Sequence, residues 1–401
     1  MRALFLTDWY PTSDRIYNGV FVREHAKAVR AAGVEVAVLH VPSGPTTGGG
    51  LWTLDEERDP GLTEGLLTYH LRHGSVRLGG PLRRVGTALT YPIYIWAVVR
   101  ACRRLRKSGF RPDVIHAHVF SAGVPAVVVG MLTHTPVVVT EHYTAYPRRT
   151  LSRASVWMAR FALGRAARVL PVCLFLQRAI EAYGIKARFE IVPNAVDAAM
   201  FHPDDSRAKP RKSGDPKRLL FVGNLEPTGH KGFPTLLDSL ERLSLRRTDW
   251  SLEVVGEGPT RADYERLVAA SPVSAVVTFR GALPKPQVAE RMRASDLFVL
   301  ASKFENLPCV IIEAMATGLP VVSTTVGGIP EMVSNADGIL VPPSDPVALA
   351  DALDLVLREP GAFDSAAISA RAQARFGLPA VGAQIRAIYD LVLAERGREP
   401  V

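Results

Sequence analysis

Glu305 and Glu313 bracket seven residues in a run that reads, from Lys303, Lys-Phe-Glu-Asn-Leu-Pro-Cys-Val-Ile-Ile-Glu-Ala-Met-Ala-Thr-Gly-Leu-Pro. The run follows Asp296–Ser302, an apolar stretch that reads as a strand. Asn306 has the side chain of a helix cap, and Pro308 suits a first helical turn. Gly318 then ends the helix and Pro320 blocks its continuation. Glu305 is therefore expected in a loop at a strand's C-terminal end, with Glu313 about one turn into the helix. The helix N-terminus between them offers N–H groups and a positive dipole end, where a diphosphate is stabilised. The two carboxylates can accept from sugar and ribose hydroxyls on either side.

The elements that must hold these residues alternate strand and helix along the whole chain. In the first half the strands read Ala3–Thr7, Glu35–His40, Asp113–His118, Val137–Thr140, Val169–Val172 and Glu190–Pro193. In the second half they read Arg218–Gly223, Leu252–Gly256, Val277–Arg280, Leu297–Ala301, Val321–Ser323 and Ile339–Val341. Such alternation implies parallel sheets covered by helices on both faces. The fold class expected is α/β, with two doubly wound Rossmann-like domains facing across a cleft. The N-terminal domain is expected over 1–196 and a Pro- and charge-rich linker over 197–216. The C-terminal domain is expected over 217–375, with the tail helix, about 376–401, completing the first domain. Residues 43–80, rich in Gly, Pro and Thr, read as a long loop overhanging the cleft. Ligands of open parallel sheets bind beyond the C-terminal strand ends, where the motifs lie.

Bulk properties narrow the class. A chain of 401 residues is long for one core. Its three cysteines are far apart, with no metal-type spacing, which fits a reduced, cytosolic protein. Met1–Thr7 reads as a buried first strand rather than a signal peptide. Ala88–Val99 is too short to span a bilayer and reads as a buried helix. The net charge of +9 favours anionic partners: a diphosphate, or an anionic membrane surface touched peripherally. The arginines lack interleaved aromatics, so nucleic acid is not expected as a partner. Asp204-Asp205 reads as a solvated pair, and no metal site is expected.

The run around Glu305 and Glu313 resembles the Glu-x7-Glu signature of family 4 of the retaining glycosyltransferases, including the flanking Ala-Ser, Asn-Leu-Pro, Glu-Ala-Met-Ala-x-Gly and Pro-Val-Val. Other strings are similar to family motifs: Asp113-Val-Ile-His-Ala-His118, Thr140-Glu141-His142, Val192-Pro-Asn-Ala-Val-Asp197, Phe221-Val-Gly-Asn-Leu225 with His230-Lys231-Gly232, and Val255-Gly-Glu-Gly-Pro259 with Gly256. The likeness covers about residues 1–40 and 113–345. Gly19, in the first loop, would let backbone approach a phosphate closely.

The resemblance implies a GT-B fold and a hexosyl transfer from a nucleotide-diphosphate sugar, with no cofactor and no metal. It implies that Lys231 pairs with the donor diphosphate, where the family's usual loop Arg is Asn224 here. Glu313 would accept from the ribose, and Glu305 would contact the transferred sugar. Amides of Leu307, Cys309 and Val310, beside Asn306, would meet sugar or phosphate oxygens, and Leu283 would line the base pocket. His118 would sit near the sugar. His116, expected on the other face of the same strand, would belong to the core. His142 and Arg148 are acceptor-side candidates. Arg72, Arg77, Arg83, Arg84 and Arg149 would suit a phosphorylated or lipid-linked acceptor. Two other classes share the architecture: a nucleotide-sugar 2-epimerase and a non-catalytic nucleotide-sugar binder. A dehydrogenase is disfavoured because the first loop lacks GxGxxG.

Overall fold

The computed structural model describes residues 1–13, 15–42, 52–73, 83–204, 216–359 and 361–397. The chain divides into two compact units, Met1–Asn194 with Leu378–Val401, and Ala195–Gly377. Asp205 and Arg77 lie outside the described residues.

The first unit runs β1 (Arg2–Thr7), α1 (Val20–Ala31), β2 (Glu35–His40), β3 (Trp52–Glu56), α2 (Pro60–Thr63), β4 (Leu67–His73), α3 (Arg83–Lys107), β5 (Val114–His118), α4 (Val119–Thr133), β6 (Val137–Glu141), α5 (Arg153–Arg165), β7 (Arg168–Pro171) and α6 (Leu174–Glu181). Its sheet has the order β3-β4-β2-β1-β5-β6-β7. All pairs are parallel except β3 with β4. The central strands are buried along their length because helices cover both faces, which is why they read as unbroken apolar runs.

The second unit runs β8 (Lys217–Val222), α7 (Phe233–Ser244), β9 (Trp250–Val255), α8 (Arg261–Ala269), β10 (Val277–Gly281), α9 (Lys285–Ala294), β11 (Leu297–Leu300), α10 (Cys309–Ala316), β12 (Val321–Thr324), α11 (Ile329–Met332), β13 (Gly338–Val341), α12 (Pro346–Arg358) and α13 (Ser365–Phe376). Its parallel sheet has the order β10-β9-β8-β11-β12-β13. The last helix, α14 (Leu378–Arg396), returns to the first unit and packs on α1. There the Tyr389 hydroxyl meets His116 Nδ1 at 2.6 Å, and Glu395 takes two bonds from Arg168.

In each sheet the strand order reverses beside the first strand. The first unit winds outward from β1 through β2, then restarts at β5 on its other side. The second does the same from β8 through β9 and β10, restarting at β11. These reversals create crevices at the C-terminal strand ends.

Three expectations need correction. The stretch 43–80 is not one irregular loop: β3, α2 and β4 lie within it, and β4 joins the sheet beside β2. No residue of the edge strand β3 is buried and β4 is buried only in part, so neither shows the apolar run of a central strand. Glu190–Pro193 forms no regular strand. It runs extended along β7, with Glu190 N–H bonding the Val169 carbonyl and Val192 N–H the Pro171 carbonyl. His116 and His118 share a face of β5, since side chains two apart return to the same side. Their rings stack at 4.6 Å.

Candidate functional site

In the second unit, loops at the C-terminal ends of β8 and β11 bring two of the predicted donor residues, Lys231 and Glu305, into contact. Lys231, on the loop between β8 and α7, places Nζ 2.7 Å from Glu305 Oε1, on the loop after β11. Ser302 donates to the same oxygen at 2.8 Å. Both partners of the ion pair are largely buried, at 17 % and 11 % side-chain exposure. Charges so sheltered interact through a lower dielectric than water and are costly to leave alone.

Two glycines fix this geometry. Gly232, at φ 69°, starts α7 and lies against the Ala301 carbonyl, which a Cβ would meet at 1.8 Å. The neighbouring Lys303 N–H bonds the His230 carbonyl at 2.7 Å, so the Lys231 loop and the β11 loop are laced backbone to backbone. Gly327, at φ 60°, lies against the Glu305 carbonyl, which a Cβ would meet at 1.9 Å. Gly328 N–H then bonds the Asn306 carbonyl at 2.7 Å. No side-chain rotamer could relieve either contact, because the opposing atoms are backbone.

Helix α10 follows. Its cap position is Pro308, with extended φ and ψ and no side-chain cap bond. The expectation that Asn306 caps the helix is therefore corrected: Asn306 is buried two residues earlier, its carbonyl held by Gly328. Proline's fixed φ serves at the cap because that position needs extended backbone. Leu307 is buried, whereas Cys309 and Val310, in the first turn of α10, are half-buried. Glu313 lies one turn in, and its Oε1 is 3.2 Å from Lys285 Nζ at the start of α9. Lys285 was not singled out in the sequence. A lysine after Leu283-Pro284 carries no motif, and only the fold brings α9 beside α10.

Of the other donor candidates, Asn224 is exposed just past β8, and Gly256 lies just past β9 with its N–H on the Gly281 carbonyl. Leu283 is half-buried between β10 and α9. Gly19, in the first unit, forms the left-handed cap of α1, with the Trp9 carbonyl against its Cα. The Trp9 backbone alone demands a glycine there.

In the first unit, His118 ends β5 and is fully buried. Its Nδ1 lies 3.2 Å from His142 Nε2, just past β6, and the rings stack at 5.4 Å. His25, from α1, centres 5.6 Å from both rings. Burial holds His118 well below the usual imidazole range, and the neighbouring rings of His116, His142 and His25 add to this. His142 is lowered by burial first, then by His25 and His116. His25 falls to about 4 through burial, opposed by the Pro193 carbonyl. The rings are therefore neutral near pH 7, each with a donor and an acceptor nitrogen.

Val119, immediately after His118, has φ 70°. A β-branched residue there is strained, and such strain collects where surrounding structure fixes a functional residue. Glu141 stabilises the turn by accepting from Phe120 N–H at 2.7 Å. Burial pushes Glu141 up to about 7, against its bonds from Phe120, Tyr143 and Tyr146. Asp8, past β1, is likewise buried and raised to about 6, while bonds from Ser121 and Tyr94 oppose the shift. Neither carboxyl stood out in the sequence, because nothing local marks it as buried. Arg148 and Arg149 are exposed, in the turn that follows Thr144.

The comparisons with known proteins agree along the chain. A family model described as glycosyl transferase 4-like domain matches residues 19–195, and one described as glycosyl transferases group 1 matches residues 203–375. A glycogen synthase of Mycobacterium tuberculosis is 31% identical over 390 residues, covering 92% of this chain and 89% of that protein. Sucrose-phosphate synthase from Thermosynechococcus elongatus superposes with a TM-score of 0.71 at 22% identity, over 98% of this chain and 99% of the other. Anabaena HepE, solved in complex with UDP, gives 0.73 at 20% identity, over 98% and 100%. At those identities the structural matches establish the shared fold. The signature around Glu305 and Glu313, the two Rossmann-like units and the relative alike over nearly the whole chain lead to one assignment: the chain belongs to family 4 of the glycosyltransferases, with the GT-B fold.

Proposed function

We propose that the protein is a retaining, metal-independent hexosyltransferase that draws its sugar from a nucleotide-diphosphate donor. The observation that carries this reading is the Lys231–Glu305 pair, 2.7 Å apart at the crevice of the second unit, with α10 beginning four residues after Glu305. An arriving diphosphate competes with Glu305 for the Lys231 ammonium and meets the amides of the first turn of α10. Glu305, so released, accepts from hydroxyls of the transferred sugar. Glu313 accepts from the ribose in the same way, drawn from Lys285. A relative in fold, HepE, was solved with UDP, which supports a diphosphate as the ligand class.

The chemistry follows from charge. The bond from the anomeric carbon to the diphosphate breaks, and its electron pair leaves with the phosphate. The acceptor oxygen then bonds the same face of that carbon, and its proton passes to the departing phosphate oxygen. Retention results without a protein nucleophile. The site's work is to hold the reactants and to stabilise the leaving charge, with Lys231 and the helix terminus supplying what an ion would otherwise give. His118 is proposed to contact the transferred sugar, and His142 and Arg148 to serve the acceptor. The acceptor is a hydroxyl-bearing molecule, with lipid-linked and polysaccharide forms among the classes to screen. We place the protein in the cytoplasm, peripheral to an anionic membrane surface. No helix among the described residues is long and apolar enough to cross a membrane. The exposed Trp157 carries Arg160 over its ring and supports surface contact.

The test incubates the pure protein with UDP-, GDP- and ADP-sugars and an acceptor panel, with and without EDTA. The proposal expects a product with the donor's anomeric configuration by NMR and undiminished turnover in EDTA. An inverted product, a strict ion requirement, or a new sugar isomer formed without acceptor would each contradict it.

A further inference from the structure

Among the described residues, one group of three potential metal-ligating side chains stands close enough to share an ion. His25, His118 and His142 each offer a ring nitrogen, and the three nitrogens lie within 4.8 Å of one another. The residues come from α1 and from the ends of the adjacent strands β5 and β6, so elements of the rigid core fix their spacing. His118 Nδ1 and His142 Nε2 are 3.2 Å apart. Tetrahedral zinc holds imidazole nitrogens at about 2.0–2.1 Å, which puts any two of them about 3.3 Å from each other. These two rings already stand at ligand spacing.

His25 is oriented for the same task. Its Nε2 meets the Pro193 carbonyl at 2.9 Å. A backbone carbonyl on the far nitrogen is the usual outer support of a metal-binding imidazole, and it leaves Nδ1 for the ion. That Nδ1 is buried and has no hydrogen-bond partner. Buried polar atoms almost always find partners, so an orphan in this cluster marks a place where something else can bind. The set is three neutral nitrogens without a carboxylate, which selects zinc, cobalt, nickel or copper over magnesium or calcium.

We propose that His25, His118 and His142 form a binding site for a divalent transition ion of the zinc type, with water as fourth ligand, and that its occupation arrests the transferase reaction. The hydrogen now shared between His118 Nδ1 and His142 Nε2 moves to the other nitrogen of its ring. Both facing lone pairs then reach the ion, with no net proton released. His142 keeps the cluster's residual exposure, 9 %, and marks the side of access. Arrest rests on the proposed contact of His118 with the sugar, because a metal-bound ring cannot make that contact. The binding itself does not depend on that reading.

The experiment titrates untagged protein with Co²⁺ and records visible absorption, then displaces the cobalt with Zn²⁺ and, separately, Mg²⁺. The expected result is one intense tetrahedral-type spectrum per chain, lost to zinc and unmoved by magnesium. His25→Gln should weaken binding by at least about 10–100-fold, since a direct ligand matters no less than an outer contact. His134→Gln, an exposed histidine elsewhere, should leave it unchanged, and circular dichroism checks that both variants fold. A weak octahedral spectrum, or equal affinity in folded His25→Gln, would overturn the site. In the activity arm, zinc should stop turnover, EDTA should restore it, and His25→Gln should stay active and insensitive to zinc. Cobalt binding with undiminished turnover in zinc would overturn the arrest and with it the role given to His118, while leaving the site standing.

Discussion

At the residue scale, the chemistry lies in groups that are buried yet polar. Lys231 and Glu305 neutralise each other at 2.7 Å and Glu313 leans on Lys285. Each acid thus has a cation partner that a phosphate can draw away. Among the described residues Asp8 has none as close: burial raises it to about 6, and hydroxyls of Tyr94 and Ser121 are its partners. The sign of its effect follows. Between the ordinary value of 3.8 and about 6 the unfolded chain has released a proton that the folded chain keeps. The contribution of Asp8 to stability therefore falls as pH rises through that window, by at most about 1.4 kcal/mol per pH unit, and levels off above it. Asp8→Asn is expected to remove this slope. Urea unfolding of both proteins between pH 4 and 7 checks it, and parallel curves would refute the assignment. The glutamates were legible because their spacing sits in a long distinctive string. Asp8, Glu141 and Lys285 were not, because burial and cross-element contact leave no local mark.

At the element scale, the strand-end loops act as a unit. The carbonyls of Ala301 and Glu305 each face a glycine with positive φ, Gly232 and Gly327, so the loops touch through backbone. Gly327→Ala would push a methyl into the Glu305 carbonyl and strain φ as well. It is expected to destabilise the protein by roughly 2–4 kcal/mol and to weaken donor binding more than acceptor binding. Denaturant midpoints and separate titrations measure both, and an unaffected donor constant would show that the loop does not set the site. The apolar central strands were readable from composition, since burial on both faces demands continuous runs. The edge strand β3 and its neighbour β4 were hidden by their exposed polar residues and by flanking Gly, Pro and Thr. The cap of α10 was misassigned for a related reason. Asn306 has the better capping side chain, but its backbone is committed to Gly328.

At the scale of the whole molecule, the chain's end is tied to its first unit. Tyr389, in α14, bonds His116 in the centre of the sheet. Tyr389→Phe removes one partner of that buried ring nitrogen and is expected to cost about 1–3 kcal/mol. Thermal unfolding reports the loss, and an unchanged midpoint would mean that the bond contributes nothing. The central claim concerns the second unit: its crevice binds the diphosphate of a nucleotide donor through Lys231. Calorimetric titration of UDP, GDP and ADP into wild type and Lys231→Ala tests it most directly. The account predicts saturable binding of at least one nucleotide, weakened about tenfold or more in the variant, as expected for loss of a charge-assisted bond of about 1.5–3 kcal/mol. Equal dissociation constants for the two proteins would contradict it.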